Sequence, residues 1–219
     1  MKLKKVRLNL AEMGGKIWFT SDTHWGHTNI IEYCDRPFKH TDEMNEVLIT
    51  NWNACVPKDG VVFHLGDFAF MPTPKILNIL RRLNGSIHYI DGNHDKNFNE
   101  DCLDMIEAYY GDRVELVVKD QEMDMKQVIV LDHFPIESWH HAYHGAWHLH
   151  GHCHGTVPSA KNQARLDVGV DVHNYRPISY EQVKLHMTRK VMDTKGRDGT
   201  EWGKPQRMNL PEFENEDPA

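Results

Sequence analysis

The chain predicts an α/β fold on mixed sheets, and three patterns in its 219 residues carry that expectation. Short apolar runs of strand length end repeatedly in small polar clusters. Stretches of helical period separate the earlier runs. The later runs follow one another with little helix between them, which disfavours a purely parallel, doubly wound sheet. At about 150 residues per domain the length corresponds to a single domain, assigned to residues 1–192. A polar C-terminal tail over 193–219 is marked by Lys195-Gly196-Arg197-Asp198-Gly199 and by Pro205, Pro211 and Pro218.

In chain order, the spacing predicts strands at Ile17–Thr20, Val61–Leu65, Ile87–Ile90, Val114–Val118, Val128–Leu131, Trp147–Leu149 and Leu166–Val170. A helix over Thr41–Asn53 follows from Met44, Val47, Leu48 and Trp52 on one stripe. A second starts at Thr73 with Pro74 in its first turn, carries Ile76, Leu77, Leu80 and Leu83, and stops at Gly85. A third is predicted over Asn99–Tyr109. The last begins at Ser179 with Gln182 three residues on, a capping box, and carries Val183, Met187 and Val191 on one face.

Composition narrows the function classes. Hydrophobic residues make up 40% and charged residues 26% of the chain, a balance that argues for a packed globular domain and against disorder. The formal net charge is −7, with Glu212, Glu214, Glu216 and Asp217 crowded at the end, so nothing announces nonspecific nucleic-acid binding. No run approaches the roughly 18 apolar residues of a membrane span, and the basic N-terminus lacks the apolar stretch of a secretory signal. Four cysteines at 34, 55, 102 and 153 form no CxxC pair, so a reducing, cytoplasmic setting is expected. Histidine is unusually frequent: 16 against 15 glycines, with eight between His133 and His154.

The residues that end the strands carry the chemistry. Ser21-Asp22-Thr23-His24 follows the first run, Gly66-Asp67 the second, Asp91-Gly92-Asn93-His94-Asp95 the third, Asp132-His133 the fifth and Gly151-His152-Cys153-His154 the sixth. In α/β sheets ligands sit beyond the carboxyl ends of strands, so five such ends converging on one spot would gather carboxylate, imidazole and amide oxygen, a donor set for divalent transition metals. A two-residue step returns side chains to one face of extended backbone, which lets Asp22 and His24, or His152 and His154, reach a common ion.

The ordered series Asp22-x-His24, Gly66-Asp67, Gly92-Asn93-His94-Asp95, His133 and Gly151-His152-x-His154 resembles the calcineurin-like metallophosphoesterase superfamily, with all five blocks in order. Arg36-Pro37-Phe38, His64-Leu65-Gly66-Asp67-Phe68 and Leu83-Asn84-Gly85 are similar to its small bacterial and phage branch. The resemblance implies two mixed β-sheets packed as a sandwich and flanked by helices, a four-layer αββα fold. It implies a dinuclear site in which Asp22, His24, Asp67 and His154 hold one metal and Asp67, Asn93, His133 and His152 the other. Manganese is the expected ion, with iron, zinc, nickel or cobalt as alternatives. It implies hydrolysis of a phosphodiester, nucleotide-derived among the options, through in-line attack of a metal-bridging hydroxide, with His94 as the acid that protonates the departing oxygen. Asp95 is expected to support its loop rather than to react.

The protein phosphatases of that superfamily continue as Gly-Asp-x-x-Asp-Arg-Gly, whereas Gly66-Asp67 here runs into Phe68, Ala69, Phe70 and Met71, placing Phe70 where an orienting acid would stand. A phosphomonoesterase or protein phosphatase is therefore the alternative reading within the fold, and a noncatalytic metal- or partner-binding scaffold the alternative outside it. His27 and Arg36 are candidate contacts to the substrate phosphate, each weighed against a solvated surface role, which is the favoured reading for Arg36. His148 and His150 alternate with His152 and His154, but Gly151 is expected to end the strand and leave the first two packed inward. Cys153 is expected to be inert, and Trp139, His140, His141, Tyr143 and His144 to lie on a loop near the mouth of the site.

Overall fold

A computed structural model describes residues 4–123, 125–157 and 163–188. Its elements are β1 (Lys4–Asn9), β2 (Ile17–Thr20), α1 (Thr28–Tyr33), α2 (Thr41–Cys55), β3 (Val61–His64), α3 (Thr73–Leu80), β4 (Ser86–Tyr89), α4 (Glu100–Leu103), β5 (Ala108–Tyr109), β6 (Arg113–Asp120), β7 (Met125–Asp132), β8 (Trp147–His150), β9 (Arg165–Asp167), β10 (Ile178–Ser179) and α5 (Tyr180–Thr188). They form two mixed five-stranded sheets, ordered β1-β6-β7-β8-β9 and β10-β2-β3-β4-β5. Only β6/β7 and β10/β2 pair antiparallel.

Alternation along the strands assigns the layers. Ile17, Phe19, Val61 and Phe63 of one sheet meet Val114, Leu116, Val118, Ile129, Leu131 and Leu149 of the other in a shared core. On the opposite face of the second sheet, Val62, Ile87 and Tyr89 pack against Met44, Leu48 and Trp52 of α2 and Ile76, Ile79 and Leu80 of α3. Tyr180, Val183 and Met187 of α5 join the core between the sheets. The capping box forms as expected: Gln182 N–H donates to Ser179 Oγ at 3.2 Å, and Ser179 N–H to Gln182 Oε1 at 2.9 Å. Val191 and the tail from Asp193 lie outside the described residues.

Local patterns misplaced several boundaries. The helix expected over Asn99–Tyr109 is the single turn α4, because Glu107 N–H donates to Ile87 O and Tyr110 N–H to Tyr89 O, drawing the following backbone onto β4 as edge strand β5. The helix from Thr73 closes at Leu80, and Gly85 (φ +89°) serves the turn into β4 rather than the helix end. The strand expected over Leu166–Val170 stops at Asp167, whose carboxylate accepts from Gly169 and Gly155 N–H and turns the chain. β1, α1 and β10 were outside the expected set. β1 is a half-exposed edge rich in Lys and Arg, with too weak an apolar alternation to stand out.

Two histidines are built into these cores as neutral groups. His64 on β3 lies among Trp25, Trp52, Phe68 and Tyr89, with Nε2 3.0 Å from Thr23 Oγ1. His148 on β8 sets Nδ1 3.0 Å from Val130 O, and its Nε2 accepts from Ile136 N–H at 3.2 Å. Burial pushes both imidazoles down to about 3. Below the ordinary value of 6.5 the unfolded chain takes up protons that these folded-state sites refuse, so stability falls as pH drops through that value. Urea unfolding at pH 7 and pH 5 should show a loss on the order of 2 kcal/mol per histidine. The loss should shrink in His64→Gln and again in His64→Gln/His148→Gln, and an unchanged loss in both would refute this account.

Candidate metal centre

Parallel pairing of β2, β3 and β4 puts their carboxyl ends side by side, with Thr20 opposite His64 and His64 opposite Tyr89. β7 and β8 run parallel in the other sheet and deliver His133 and His152 to the same end of the sandwich. The ladder continues past the strands: Asp22 N–H donates to Gly66 O at 3.0 Å and His24 N–H to Asp67 O at 3.1 Å. A bridge between Ser21 and Gly169 ties in the segment after β9.

All seven expected ligand residues come together there. His24 Nε2 lies 3.6 Å and His133 Nε2 3.5 Å from Asp67 Oδ2, so this carboxylate stands between two donor groups. On one side His24 Nε2 and His154 Nε2 are each 3.9 Å from Asp22 Oδ1, with the two rings stacked at 5.3 Å. On the other side Asn93 Oδ1 is 2.9 Å from both His133 Nε2 and His152 Nδ1. Asp22, His24 and His154 form one group of donor atoms within 4.8 Å of one another, and Asp22, Asp67 and His133 another.

The backbone is bent to achieve this. Nine described non-glycine residues have positive φ, and five of them are Asp22, His24, Asp67, His152 and His154. Such conformations are uncommon for non-glycine residues, though Asp and His adopt them more readily than most, and they concentrate where function requires them. The glycines beside them permit close approach: a Cβ on Gly92 would collide with the Asp67 carboxylate and amide, and one on Gly151 with Ser21 and Asp22. Asp95 accepts from Asp67, Phe68 and Gly92 N–H, each at 2.7 Å, and so holds its loop as expected.

The electrostatics are those of a cation site. Burial pushes the Asp22 carboxyl up to about 6, even though His133, His154 and Ser21 favour its ionised form. Both ring nitrogens of His24 are buried without a hydrogen-bond partner, and burial holds its pKa well below the ordinary value. Buried carboxylates that lack a compensating cation and neutral imidazoles that lack a donor or acceptor are both costly. A divalent ion relieves both, so the residues fit a metal pair.

Arg36 departs from expectation. Rather than reaching substrate, it is buried, and all five of its N–H groups are taken: Nε and Nη2 grip the Asp171 carboxylate at 2.8 Å, and the rest meet Asp22 O, Thr23 O and Met44 Sδ. Asp171, absent from the expected set, accepts from His154 Nδ1–H at 2.6 Å, and despite burial His154 and Arg36 together hold its carboxyl below the usual range. Burial alone would depress the His154 imidazole, but Asp171, Cys34 and Asp22 together push it up to about 10. The signal for Asp171 was present, since it follows the seventh apolar run, Leu166–Val170. His148 and His150 are fully buried and packed inward, as expected. Burial raises the Cys153 thiol, keeping it protonated. No described cysteine is in a disulfide.

The rim is aromatic. His27 stacks on Phe70 at 4.0 Å and lies 5.5 Å from His24, and exposed His94 flanks the same Phe70 at 5.0 Å and His24 at 6.2 Å. The His94 backbone N–H donates to Asp67 Oδ1 at 2.9 Å, coupling it to the central carboxylate. Across the site, Phe134 packs on His152 at 4.6 Å.

Two substitutions test this construction. Gly92→Ala should cost about 2–4 kcal/mol in urea unfolding, against about 1 kcal/mol for Gly111→Ala, where the added Cβ meets nothing within 4 Å and only the positive φ is strained. Arg36→Leu, which strands Asp171, should cost about 3–5 kcal/mol; a variant of wild-type stability would instead mark Arg36 as dispensable to the fold.

No family model matches the chain. It is 36% identical over 182 residues to the "Uncharacterized protein MJ1445" of Methanocaldococcus jannaschii, a similarity covering 82% of this chain and 96% of that protein. It is 32% identical over 98 residues to the "Gene 66 protein" of Mycobacterium phage L5, spanning 42% of this chain and 47% of the phage protein. Among solved structures its fold is similar to that of AQ665, a protein of unknown function from Aquifex aeolicus, with a TM-score of 0.57 and 23% identity over 78% of this chain and 98% of that one. Sequence identity sustained along nearly the whole archaeal protein shows the relationship: this chain belongs to the family of MJ1445.

Proposed function

We propose that this chain is a dinuclear metal-dependent phosphoesterase of the calcineurin-like kind, with a four-layer αββα arrangement and a preference for phosphodiesters, working in the cytoplasm. The observation that carries the reading is the Asp67 carboxylate, set 3.6 Å from His24 and 3.5 Å from His133 between two donor groups. Asp22, His24, Asp67 and His154 would hold one ion and Asp67, Asn93, His133 and His152 the other; the mixed oxygen and imidazole donors suit a divalent transition metal, and manganese is the ion the resemblance implies. When bound, such a pair supplies Lewis acidity, offsetting charge on phosphoryl oxygens and lowering the pKa of water.

The chain's own groups do the rest. Asp22 and Asp67, as just two ligating carboxylates, would leave two divalent ions incompletely neutralised, so that the site would attract a phosphate. Asp171 fixes the ring of His154 through Nδ1, leaving Nε2 directed toward Asp22, and Arg36 in turn anchors Asp171. His94, exposed at the rim and tethered by its backbone to Asp67, holds the proton that passes to the departing oxygen. His27 and Phe70 wall the same side. No described helix is long and apolar enough to cross a membrane, in keeping with a substrate met away from the bilayer core.

Metal-stripped protein supplied with manganese should hydrolyse an aryl phosphodiester, and more slowly the matching monoester. Asp67→Asn should abolish both. Bound metal without turnover of either ester would sink the enzymatic reading and favour a scaffold. His94→Ala should lower kcat by about 10²–10⁴ on a diester with an alkoxide leaving group. The effect should be much smaller with a nitrophenolate, which departs without a proton; equal losses on the two esters would remove His94 from the role of acid.

A further inference from the structure

The loop of Trp139, His140, His141, Tyr143 and His144 does not line the mouth of the site as expected: it runs back from the end of β7 to the start of the parallel β8 across the outer face of the first sheet, where it meets a carboxylate. Val114, Leu116 and Val118 of β6 point into the core between the sheets. Glu115 therefore points the other way, yet its side chain is only 1% exposed. The loop covers it. Trp139, itself buried, donates from Nε1 to Ala146 O at 2.9 Å, and Gln127 Nε2 donates to Gly145 O at 3.0 Å, so the loop is pinned at both ends. His141 adopts φ +61° and stands at the start of a single 3₁₀ turn, Ala142–His144. The pinning leaves His140 and His141 exposed above Glu115, their rings 3.8 Å apart.

We propose that Glu115, His140 and His141 form a second, separate site for one divalent transition metal ion. One donor atom from each residue lies within 4.8 Å of the other two, and Glu115 Oε2 is 2.5 Å from His140 Nδ1. Two imidazoles and a carboxylate are a ligand set suited to zinc, nickel, copper or cobalt, with remaining positions open to water. Lys5 on β1, paired in register with Glu115, engages the other carboxylate oxygen, Oε1. That contact leaves Oε2 for the metal and orients it, the arrangement usual for a ligating carboxylate whose second oxygen is hydrogen-bonded. The ring of His144 lies 5.7 Å from that of His141 and extends the imidazole cluster outward. None of these residues belongs to the phosphoesterase reading, so the site stands or falls apart from it.

The test is metal stoichiometry of the full-length protein by equilibrium dialysis against zinc, with elemental analysis of the retained ion. His140→Ala/His141→Ala should bind one equivalent fewer than the wild type, while its turnover of an aryl phosphodiester stays at the wild-type level. Asp22→Asn/Asp67→Asn, in which the strand-end cluster is disabled, should keep one equivalent, and adding His140→Ala/His141→Ala to it should remove that one. Because His140 and His141 are exposed, their replacement leaves the core intact, which circular dichroism verifies. Equal zinc content in the wild type and His140→Ala/His141→Ala would overturn the proposal. Should the strand-end cluster bind no metal at all, the wild type would still carry the one equivalent that His140→Ala/His141→Ala removes, so the two readings fail separately.

Discussion

The arrangement of the site depends on one part-buried carboxylate. Asp95 collects the amides of Asp67, Phe68 and Gly92, binding the turn after β3 to the turn after β4. That clamp works only because Gly92 has no side chain, since any Cβ there would occupy the place of the Asp67 carboxylate. With both turns drawn together, Asp67 is held at φ +55° and its side chain stands between His24 and His133. Burial pushes the Asp95 carboxyl upward while the three amides and Tyr89 oppose the shift, so a group that would be costly alone becomes the fastener of the whole edge.

A second chain of dependence runs from Arg36 through Asp171 to His154. Arg36 also donates to the carbonyls of Asp22 and Thr23, so one buried guanidinium sets the backbone of the first ligand block and the imidazole of the last. Buried ion pairs contribute little net stability but are expensive to break. Here the pair fixes orientation among residues separated by more than a hundred positions in the chain. The aromatic groups His27, Phe70 and Phe134 then shape the rim around this fixed centre.

Much of this was legible from residue order. The seven candidate ligand positions stood at strand ends, and parallel pairing of β2, β3 and β4 turned those ends into one locus. Where sequence reading erred, a partner distant in the chain decided. Residues 104–110 have helical composition, yet the open edge of β4 offered hydrogen bonds that a helix could not match against it. Arg36 looked like a surface cation because nothing nearby in sequence is its counterion; Asp171 lies 135 positions away. Asp171 itself followed an apolar run, as the turns that carry the candidate ligands do, but no histidine beside it marked it out.

The sequence by itself determined the donor inventory and its punctuation: Asp22, Asp67, Asn93 and four histidines, each block placed after an apolar run, with glycine before Asp67, Asn93 and His152. Those features are local, since strand period, turn chemistry and residue type all act over a few positions. Tertiary structure alone decided which nitrogen faces which carboxylate, that Arg36 turns inward, and that Glu115 is roofed by His140 on the far side of a sheet. Those outcomes require two sheets to close on each other, and the hydrophobic burial that closes them is blind to the order in which the buried residues occur along the chain.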